Sequence, residues 1–217
     1  MFAFLPPPLM IKVIWKINAQ EFNLNQFKDL IGVTNNDIFK DILRFLEYNK
    51  IGKLSNNNKL ISFSDSDKIR MILKAIQMGC DIQTCSKLLS WKDFESLTSE
   101  ILIKFDYQTK VNIYMSKPRY QLDVVATKNN FLLSIDCKHW RKYSKSAIIP
   151  YIEKQVIRTR NYLINYKKIK RALPMLITLY DSSFKLICGV PIVPIQSLQS
   201  FLLEFETIED ELYYIYN

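Results

Sequence analysis

The chain has 217 residues, a formal net charge of +9 and an apolar content of 48%. It is long enough to bury a sizeable core, and we expect a small module joined to a medium one. The first 17 residues are apolar, but three prolines interrupt them and they lack the basic start and cleavage site of a secretory signal. Since no apolar run reaches the roughly 18 residues of a membrane helix, we expect a cytoplasmic protein without membrane association.

The cysteines and the single histidine argue against a zinc site. The four cysteines show no CxxC spacing, and one histidine leaves too few ligands. Reduced thiols are the simplest interpretation, with Cys80 and Cys85 as ligands of an iron–sulfur cluster the weaker alternative. A nuclease based on histidine chemistry is disfavoured for the same reason.

The positive charge is concentrated in one segment of the chain. Between Cys137 and Arg171 there are 11 Lys or Arg residues and one acid, a balance of +10, so the rest is close to neutral. A polyanion such as nucleic acid is the expected partner of this segment. The residues predicted to contact nucleic acid here are Arg141, Lys142, Lys145, Arg158 and Arg160.

Residues 21–78 predict a helix, a turn, a second helix, a hairpin and a third helix. Gly32 ends the first helix, and Thr34 or Asn35 caps the second, whose apolar residues recur at helical spacing. The hairpin joins residues 50–54 and 59–63 through a polar turn. This order resembles a winged helix-turn-helix domain, to which we assign residues 1–80.

The winged-helix resemblance implies that the second helix enters the DNA major groove and that the wing contacts phosphate. Lys40 and Arg44 would act from the helix, with Asn35 and Asn36 beside them, and Lys53 and Lys59 from the wing. A solvated polar face that docks a protein partner or forms a dimer explains the same residues equally well.

From residue 81 to residue 217 the pattern changes to alternating helices and strands. Helix, three strands, helix and strand form an α/β sandwich ordering. The predicted elements are a helix over about 82–106, strands 110–116, 120–127 and 131–138, a helix 147–166, strands 174–180 and 184–190, and a helix 194–206.

Two apolar strands around Asn129-Asn130 carry the most informative residues. If these asparagines form a two-residue turn, facing positions sum to 259, and Asp123 lies directly opposite Asp136. Their Cβ atoms would then be about 5 Å apart, where like charges destabilise a sheet. Lys138 lies on the same face, two residues further on. This arrangement suggests a divalent cation between the carboxylates, although a three-residue turn would send one aspartate to the other face.

Asp123 followed by Asp136-Cys137-Lys138 resembles the core motif of the PD-(D/E)XK nuclease superfamily, which includes type II restriction enzymes, archaeal Holliday-junction resolvases and methyl-directed restriction endonucleases. The order of elements over residues 82–190 also matches that superfamily. Leu122 replaces the usual proline of the motif, and Asp136 replaces the more frequent glutamate. The resemblance implies a restriction-endonuclease-like mixed sheet flanked by helices, preceded by the α+β winged-helix domain.

The resemblance also implies an acidic residue on the helix before the sheet. Glu95 flanks the core stripe of that helix, whereas Glu100 points nearly away from it, so Glu95 is preferred. In resolvase-like members a polar residue follows on the next helix, and Gln155 is the candidate. The simpler interpretation of Gln155 is a residue on a solvated helix face.

By this resemblance, Glu95, Asp123, Asp136 and the backbone carbonyl of Cys137 would hold one or two Mg²⁺ or Mn²⁺ ions. Lys138 would position or deprotonate the attacking water. We therefore expect a Mg²⁺-dependent endonuclease that hydrolyses phosphodiester bonds in DNA, of a structure-specific or restriction type, with a homodimer as the candidate assembly. A non-catalytic DNA-binding scaffold with a nuclease-like fold and an RNA-processing endonuclease are the alternatives.

Overall fold

A computed structural model describes residues 5–55, 59–140, 144–180 and 185–217. The chain forms two compact units, an N-terminal unit of Met1–Leu88 and a C-terminal unit of Leu89–Asn217. The sequence placed this division between residues 80 and 81, a few residues earlier. None of the helices within the described ranges has the length and the apolar character that crossing a membrane requires.

The N-terminal unit combines helices with a small antiparallel sheet, in which the strands are ordered β1-β3-β2. Its elements are α1 (Pro7–Lys16), β1 (Glu21–Asn23), α2 (Leu24–Leu30), α3 (Asn36–Tyr48), β2 (Lys53–Leu54), β3 (Leu60–Ser62), α4 (Asp65–Gln77) and α5 (Ile82–Ser86).

The predicted helices and hairpin of residues 21–78 are present, whereas α1 and β1 were not predicted. Pro7 stands at the start of α1, where the missing N–H would have had no helical partner. The predicted cap of α3 is confirmed, because Asn35 Oδ1 accepts hydrogen bonds from the backbone N–H groups of Asp37 at 2.7 Å and Ile38 at 3.2 Å. The predicted turn of the hairpin includes residues 56–58, which lie outside the described residues.

The C-terminal unit is a mixed α/β domain. Its helices and strands are α6 (Trp91–Ile103), β4 (Gln108–Ser116), β5 (Arg119–Lys128), β6 (Phe131–Lys138), α7 (Lys145–Leu163), β7 (Arg171–Thr178), β8 (Leu186–Ile187), β9 (Val190–Pro194), α8 (Leu198–Glu204) and β10 (Ile215–Tyr216).

A seven-stranded mixed sheet, flanked by helices, forms the centre of this unit. Its strands follow the order β4-β5-β6-β7-β9-β8, and β10 pairs with the start of β7. The β4-β5-β6 meander is antiparallel, whereas β6, β7 and β9 run parallel to one another. Leu132, Leu176 and Ile192 of the sheet are fully or nearly fully buried and belong to the core that α7 covers. The mixed α/β class expected from the sequence is confirmed.

The single helix predicted over residues 82–106 is wrong, because the chain forms α5 and α6 there. Ser90 caps α6, because its hydroxyl oxygen accepts a hydrogen bond of 3.3 Å from the backbone N–H of Asp93, while its own backbone N–H donates to Asp93 Oδ2 at 3.1 Å. This reciprocal cap satisfies backbone groups that an uninterrupted helix would have paired internally, so it starts a new helix. The Ser-x-x-Asp spacing was a visible signal for it.

The last strands of the sheet also differ from the prediction in their bounds and number. The predicted strand 184–190 corresponds to β8, and residues 181–184 lie outside the described residues. Residues 190–194 form β9, which pairs parallel to β7, although the helix was expected to begin at 194. The predicted helix is nevertheless present, because a 3₁₀ turn over Ile195–Ser197 follows Pro194 directly and leads into α8.

Candidate functional site

The register of the β5-β6 hairpin agrees with the sequence prediction. Lys128 faces Phe131 and Val124 faces Ile135, so each pair sums to 259, with Asn129 and Asn130 as the turn. The next position along this ladder sets Asp123 opposite Asp136. The two carboxylates therefore start from the same face of adjacent strands, as the pleat requires.

Successive side chains of β6 point to opposite faces of the sheet, so the site lies on one face and a buried core on the other. Ser134 bonds to α7 through its hydroxyl, and Asp136 contacts the same helix. Cys137 points to the opposite face, where its Sγ lies 3.8 Å from Thr98 Oγ1 of α6. Lys138 returns to the face of Asp136, two residues on.

Asp136 makes two ion pairs within the C-terminal unit. Lys138 Nζ lies 2.7 Å from its Oδ2, and Arg158 Nη1 of α7 lies 3.4 Å from its Oδ1. The Asp136 side chain is 3% exposed, and those of Lys138 and Arg158 are 14% and 15% exposed. Because all three groups are largely withdrawn from water, each charge depends on the others for compensation.

Asp123 is buried beside this cluster with weaker compensation. Its Oδ2 accepts a hydrogen bond of 2.8 Å from the backbone N–H of Cys137. Burial, followed by the negative charges of Asp136 and Glu95, raises the pKa of Asp123 to about 7, and the Cys137 hydrogen bond only partly opposes this. Burial therefore disfavours the ionised form of Asp123 more than its hydrogen bond to the Cys137 N–H favours it.

Glu95 reaches the same cleft from α6. Burial raises the pKa of Glu95, while hydrogen bonds from the side chains of Asn112 and Trp91 lower it and the charge of Asp136 raises it again. Glu100 is exposed on the same helix and does not line the cleft. The structure thus brings Glu95, and not Glu100, to the paired aspartates.

Asn112 of β4 is a residue that the sequence analysis missed. Val111 pairs with Val124 and Ile113 with Leu122, so Asn112 lies opposite Asp123 in the ladder. Its φ of 55° is left-handed, a conformation that asparagine tolerates better than most residues. Its Oδ1 accepts a hydrogen bond of 3.0 Å from Gln121 Nε2. The one signal for it was a polar side chain between two apolar ones in a strand.

These side chains line an open cleft of about 720 Å³. Of the predicted catalytic residues, Glu95, Asp123, Asp136 and Lys138 lie in it, and their roles remain predictions. The lining residues are Trp91, Lys92, Glu95, Asn112, Tyr114, Gln121, Asp123, Asp136, Lys138 and Arg158.

The structure does not bring Gln155 to this cleft. Its side chain is fully buried, and its Nε2 donates to the carbonyl oxygen of Ser134 at 2.9 Å and to the hydroxyl at 3.1 Å. Gln155 therefore ties α7 to β6, and the expectation of a catalytic Gln155 is corrected. Arg158, one helical turn further on, occupies the cleft instead.

The predicted nucleic-acid contacts do not form one surface in the C-terminal unit. Arg158 lies in the cleft, whereas Arg160 is exposed and its Nη2 lies 3.2 Å from the Tyr213 hydroxyl. Lys145 is exposed at the start of α7, and Arg141 and Lys142 lie outside the described residues. Lys167 and Lys168 line a second cavity, which lies at the turn end of the β5-β6 hairpin. Among the described residues the basic side chains of 138–171 therefore lie at more than one place on the unit, and their contact with nucleic acid remains a prediction.

In the N-terminal unit the predicted DNA contacts are on the surface. Lys40 Nζ lies 3.1 Å from Asp37 Oδ1, and Arg44 Nη1 lies 3.2 Å from Asp41 Oδ1, with all four side chains more than half exposed. Lys53 is exposed on β2. Exposed pairs of this kind contribute little stability, so these cations remain available to a phosphate.

The carboxylates were compared with the needs of a hard divalent cation. Within the described ranges no three His, Cys, Asp or Glu side chains are close enough to form a ready-made metal cage. Mg²⁺ does not require one, since it is commonly bound through one or two carboxylates and keeps several waters. Asp123 and Asp136, with Glu95 nearby, fit this requirement, and burial together with the charge of Asp136 raises the pKa of Asp123, a cost that a bound cation would offset.

Comparison with known proteins adds one relative by sequence. An uncharacterized protein of Archaeoglobus fulgidus is 30% identical over 118 residues, which cover 52% of this chain and 90% of the archaeal protein. The chain belongs to the family of that archaeal protein. No protein-family model matches the chain.

Two solved structures are similar over most of this chain. Protein VC1899 of Vibrio cholerae matches 94% of it at 14% identity and a TM-score of 0.39. Can2 of Sulfobacillus thermosulfidooxidans, solved in complex with cyclic tetra-adenylate, matches 94% of it at 18% identity and a TM-score of 0.36. The chain spans about half the length of each, 52% and 50% respectively.

Proposed function

We propose that this protein is a Mg²⁺- or Mn²⁺-dependent endonuclease that hydrolyses phosphodiester bonds in DNA. The C-terminal unit would be a PD-(D/E)XK-type catalytic domain, and the N-terminal unit a winged helix that engages the DNA. One observation carries the proposal: Asp123 and Asp136 face each other on adjacent strands, with Lys138 two residues on and Glu95 beside them. Buried carboxylates in such a cluster have a cost that a purely structural role does not explain.

Asp123, Asp136 and the Cys137 carbonyl would hold the cation, and Glu95 would approach it directly or through water. The cation would neutralise charge on the scissile phosphate and lower the pKa of a nearby water. Lys138 would hydrogen-bond to that water, and its ammonium, 2.7 Å from Asp136 Oδ2 and 14% exposed, supports this role. Arg158, on the other oxygen of Asp136, would pair with a phosphate oxygen of the bound strand.

The first test of this proposal is metal dependence. Cleavage of a panel of labelled single strands, duplexes, flaps and four-way junctions should be absent in EDTA and should be restored by Mg²⁺ or Mn²⁺. The physical reason is that the cation would activate the attacking water and neutralise the charge that develops on the scissile phosphate. Gel analysis of each substrate, with matching RNA versions, measures the outcome.

Undiminished cleavage in EDTA would contradict the proposal, and cleavage of RNA alone would favour an RNA-processing enzyme. Binding without cleavage under any metal would favour the non-catalytic scaffold. A preparation that carries Asp136→Asn controls for a contaminating nuclease, because any activity that it retains cannot come from this site.

The two glutamates of α6 form a matched pair for a second test. Glu95→Gln should lower the cleavage rate by about 10-fold or more and raise the Mn²⁺ concentration for half-maximal activity, because an anionic group near the cation is lost. Glu100→Gln removes the same charge from the exposed side of the same helix and should leave both quantities unchanged. Metal titrations of the cleavage rate check this, and equal effects of the two substitutions would remove Glu95 from the site.

A further inference from the structure

Exposed aromatic rings border the proposed catalytic cleft, a feature that phosphodiester hydrolysis does not by itself require. Trp91 and Tyr114 line the cleft and are 44% and 74% exposed. Tyr151 of α7, 43% exposed, meets the Trp140 ring edge-on at a centroid distance of 4.7 Å. A soluble protein rarely leaves such large aromatic side chains together on its surface without a ligand to cover them.

The rings gather around the predicted catalytic lysine. Lys138 Nζ lies 6.0 Å from the ring centroid of Trp91, 5.8 Å from that of Trp140 and 5.4 Å from that of Tyr151. A cation at these distances attracts the ring faces and restrains their positions. The aromatic border and the carboxylate cluster are therefore parts of one site, within one side-chain length of each other.

Besides Lys138, Trp91 contacts two neighbouring side chains, those of Glu95 and His139. Its indole N–H hydrogen-bonds to Glu95, and its ring packs on His139 at a centroid distance of 4.4 Å. His139 in turn rests edge-on against the fully buried Phe94, at 4.7 Å. His139 directly follows the Asp136-Cys137-Lys138 motif in the sequence, and in this stack it lies between Trp91 and Phe94. Trp91 is therefore held by its neighbours, with 44% of its surface open to solvent beside the proposed cation site.

We propose that Trp91 is a stacking platform for an unpaired nucleobase next to the scissile phosphate, so that the cleft accepts a single strand in preference to a paired duplex. The inference rests on the proposed function, because it concerns the substrate of the same cleft. Bases within a duplex have both faces covered by their neighbours, whereas an unpaired base can turn a face to an aromatic side chain. Lys92, Lys138 and Arg158 in the cleft supply the positive charge that the strand's phosphates need.

Binding in EDTA separates this inference from catalysis. Fluorescence anisotropy of a labelled 12-nucleotide strand measures affinity for the intact strand, for its duplex, and for a series of strands that each lack one base. Trp91→Ala should weaken single-strand binding roughly 5- to 150-fold, the range for loss of one stacked base, and should leave duplex binding nearly unchanged. The wild-type protein should bind one strand of the abasic series more weakly than the intact strand, and this strand should show no such difference with Trp91→Ala.

Two further variants make the result specific. Trp91→Phe keeps an aromatic ring but loses the N–H bond to Glu95, so it should retain most single-strand affinity and the abasic position. Trp15→Ala removes a 68% exposed tryptophan of the N-terminal unit and should leave single-strand binding as it is. If Trp91→Ala does not fold, the abasic series measured with the wild-type and Trp91→Phe proteins tests the inference, and both proteins should show the same sensitive position.

Equal weakening of single-strand and duplex binding by Trp91→Ala, or an abasic series without a sensitive position, would overturn the inference. Cleavage together with an abasic series that has no sensitive position would support the nuclease proposal without the stacking site. A sensitive abasic position without cleavage under any metal would keep the stacking site and remove the nuclease. The same series made in RNA tests whether the site distinguishes the two sugars.

Discussion

Replacing Asp136 with asparagine is expected to lower the rate of metal-dependent DNA cleavage by about 10³-fold or more. Asp136 is the centre of the cleft, facing Asp123 and pairing with Lys138 at 2.7 Å and Arg158 at 3.4 Å. Loss of its charge weakens cation binding and releases both basic side chains, and several kcal/mol of barrier correspond to about three powers of ten in rate. Single-turnover cleavage at saturating metal measures the effect.

DNA affinity separates a catalytic effect from a folding or binding effect. Phosphate contacts elsewhere on the protein carry much of the binding, so the affinity of Asp136→Asn should change by less than about 3-fold. Asp106→Asn is a matched control, because Asp106 is an exposed aspartate of the same unit whose positive φ asparagine also tolerates. A wild-type cleavage rate in Asp136→Asn, or an equal loss in Asp106→Asn, would refute the assignment of Asp136.

Replacing Asp123 with asparagine should stabilise the protein when no metal is present. A carboxyl group whose folded pKa lies above its unfolded value binds protons more tightly in the folded state. Its contribution to stability therefore falls as pH rises from about 4, the unfolded value, to about 7, the folded one. Above pH 7 the wild-type protein carries the full penalty, whereas the asparagine carries none and still offers an oxygen to the Cys137 N–H.

The size of this effect follows from the shift. A change of the pKa from 3.8 to about 7 corresponds to an upper value on the order of 4 kcal/mol. For a unit of the length of Leu89–Asn217 that is roughly 15 °C in its unfolding temperature. Thermal unfolding in EDTA at pH 5 and pH 8 should show a clearly larger difference between the two proteins at pH 8 than at pH 5. His139, whose pKa burial lowers, titrates in both proteins and cancels from the difference.

Metal addition provides the control for this prediction. At pH 8, Mg²⁺ or Mn²⁺ should raise the unfolding temperature of the wild-type protein, because a ligand that binds only the folded state stabilises it. The Asp123→Asn protein should respond less, since one of the two carboxylates has lost its charge. The prediction fails if the stability difference in EDTA is the same at both pH values.

Part of the candidate site could be predicted because it depends on a short stretch of chain. Asp123 and Asp136 are joined by a hairpin with a two-residue turn, so their positions opposite each other depend only on that turn and on the period of a strand. Glu95 was preferred to Glu100 from helical periodicity alone, and the buried side of α6 agrees with this preference.

The parts that were missed depend on packing between distant segments. Gln155 and Arg158 lie one turn apart on α7, and periodicity cannot tell which of them faces the cleft and which faces Ser134. The rotation of α7 is decided by how its apolar residues fit the sheet, which the sequence does not reveal. The contact between Trp91 and His139 joins residues far apart in the chain, and nothing local to either one predicts it.

By itself, the sequence predicted most of the helices and strands, the β5-β6 register and the shared face of Asp123, Asp136 and Lys138. These follow from spacing and turn chemistry, which act over a few residues. Only the tertiary structure decided that Arg158 pairs with Asp136, that Asn112 and Trp91 hydrogen-bond to Glu95, and that the described basic residues of 138–171 lie at several places on the unit. These contacts form when helices dock on the sheet, and close packing of the whole core selects one arrangement among many with the same local pattern.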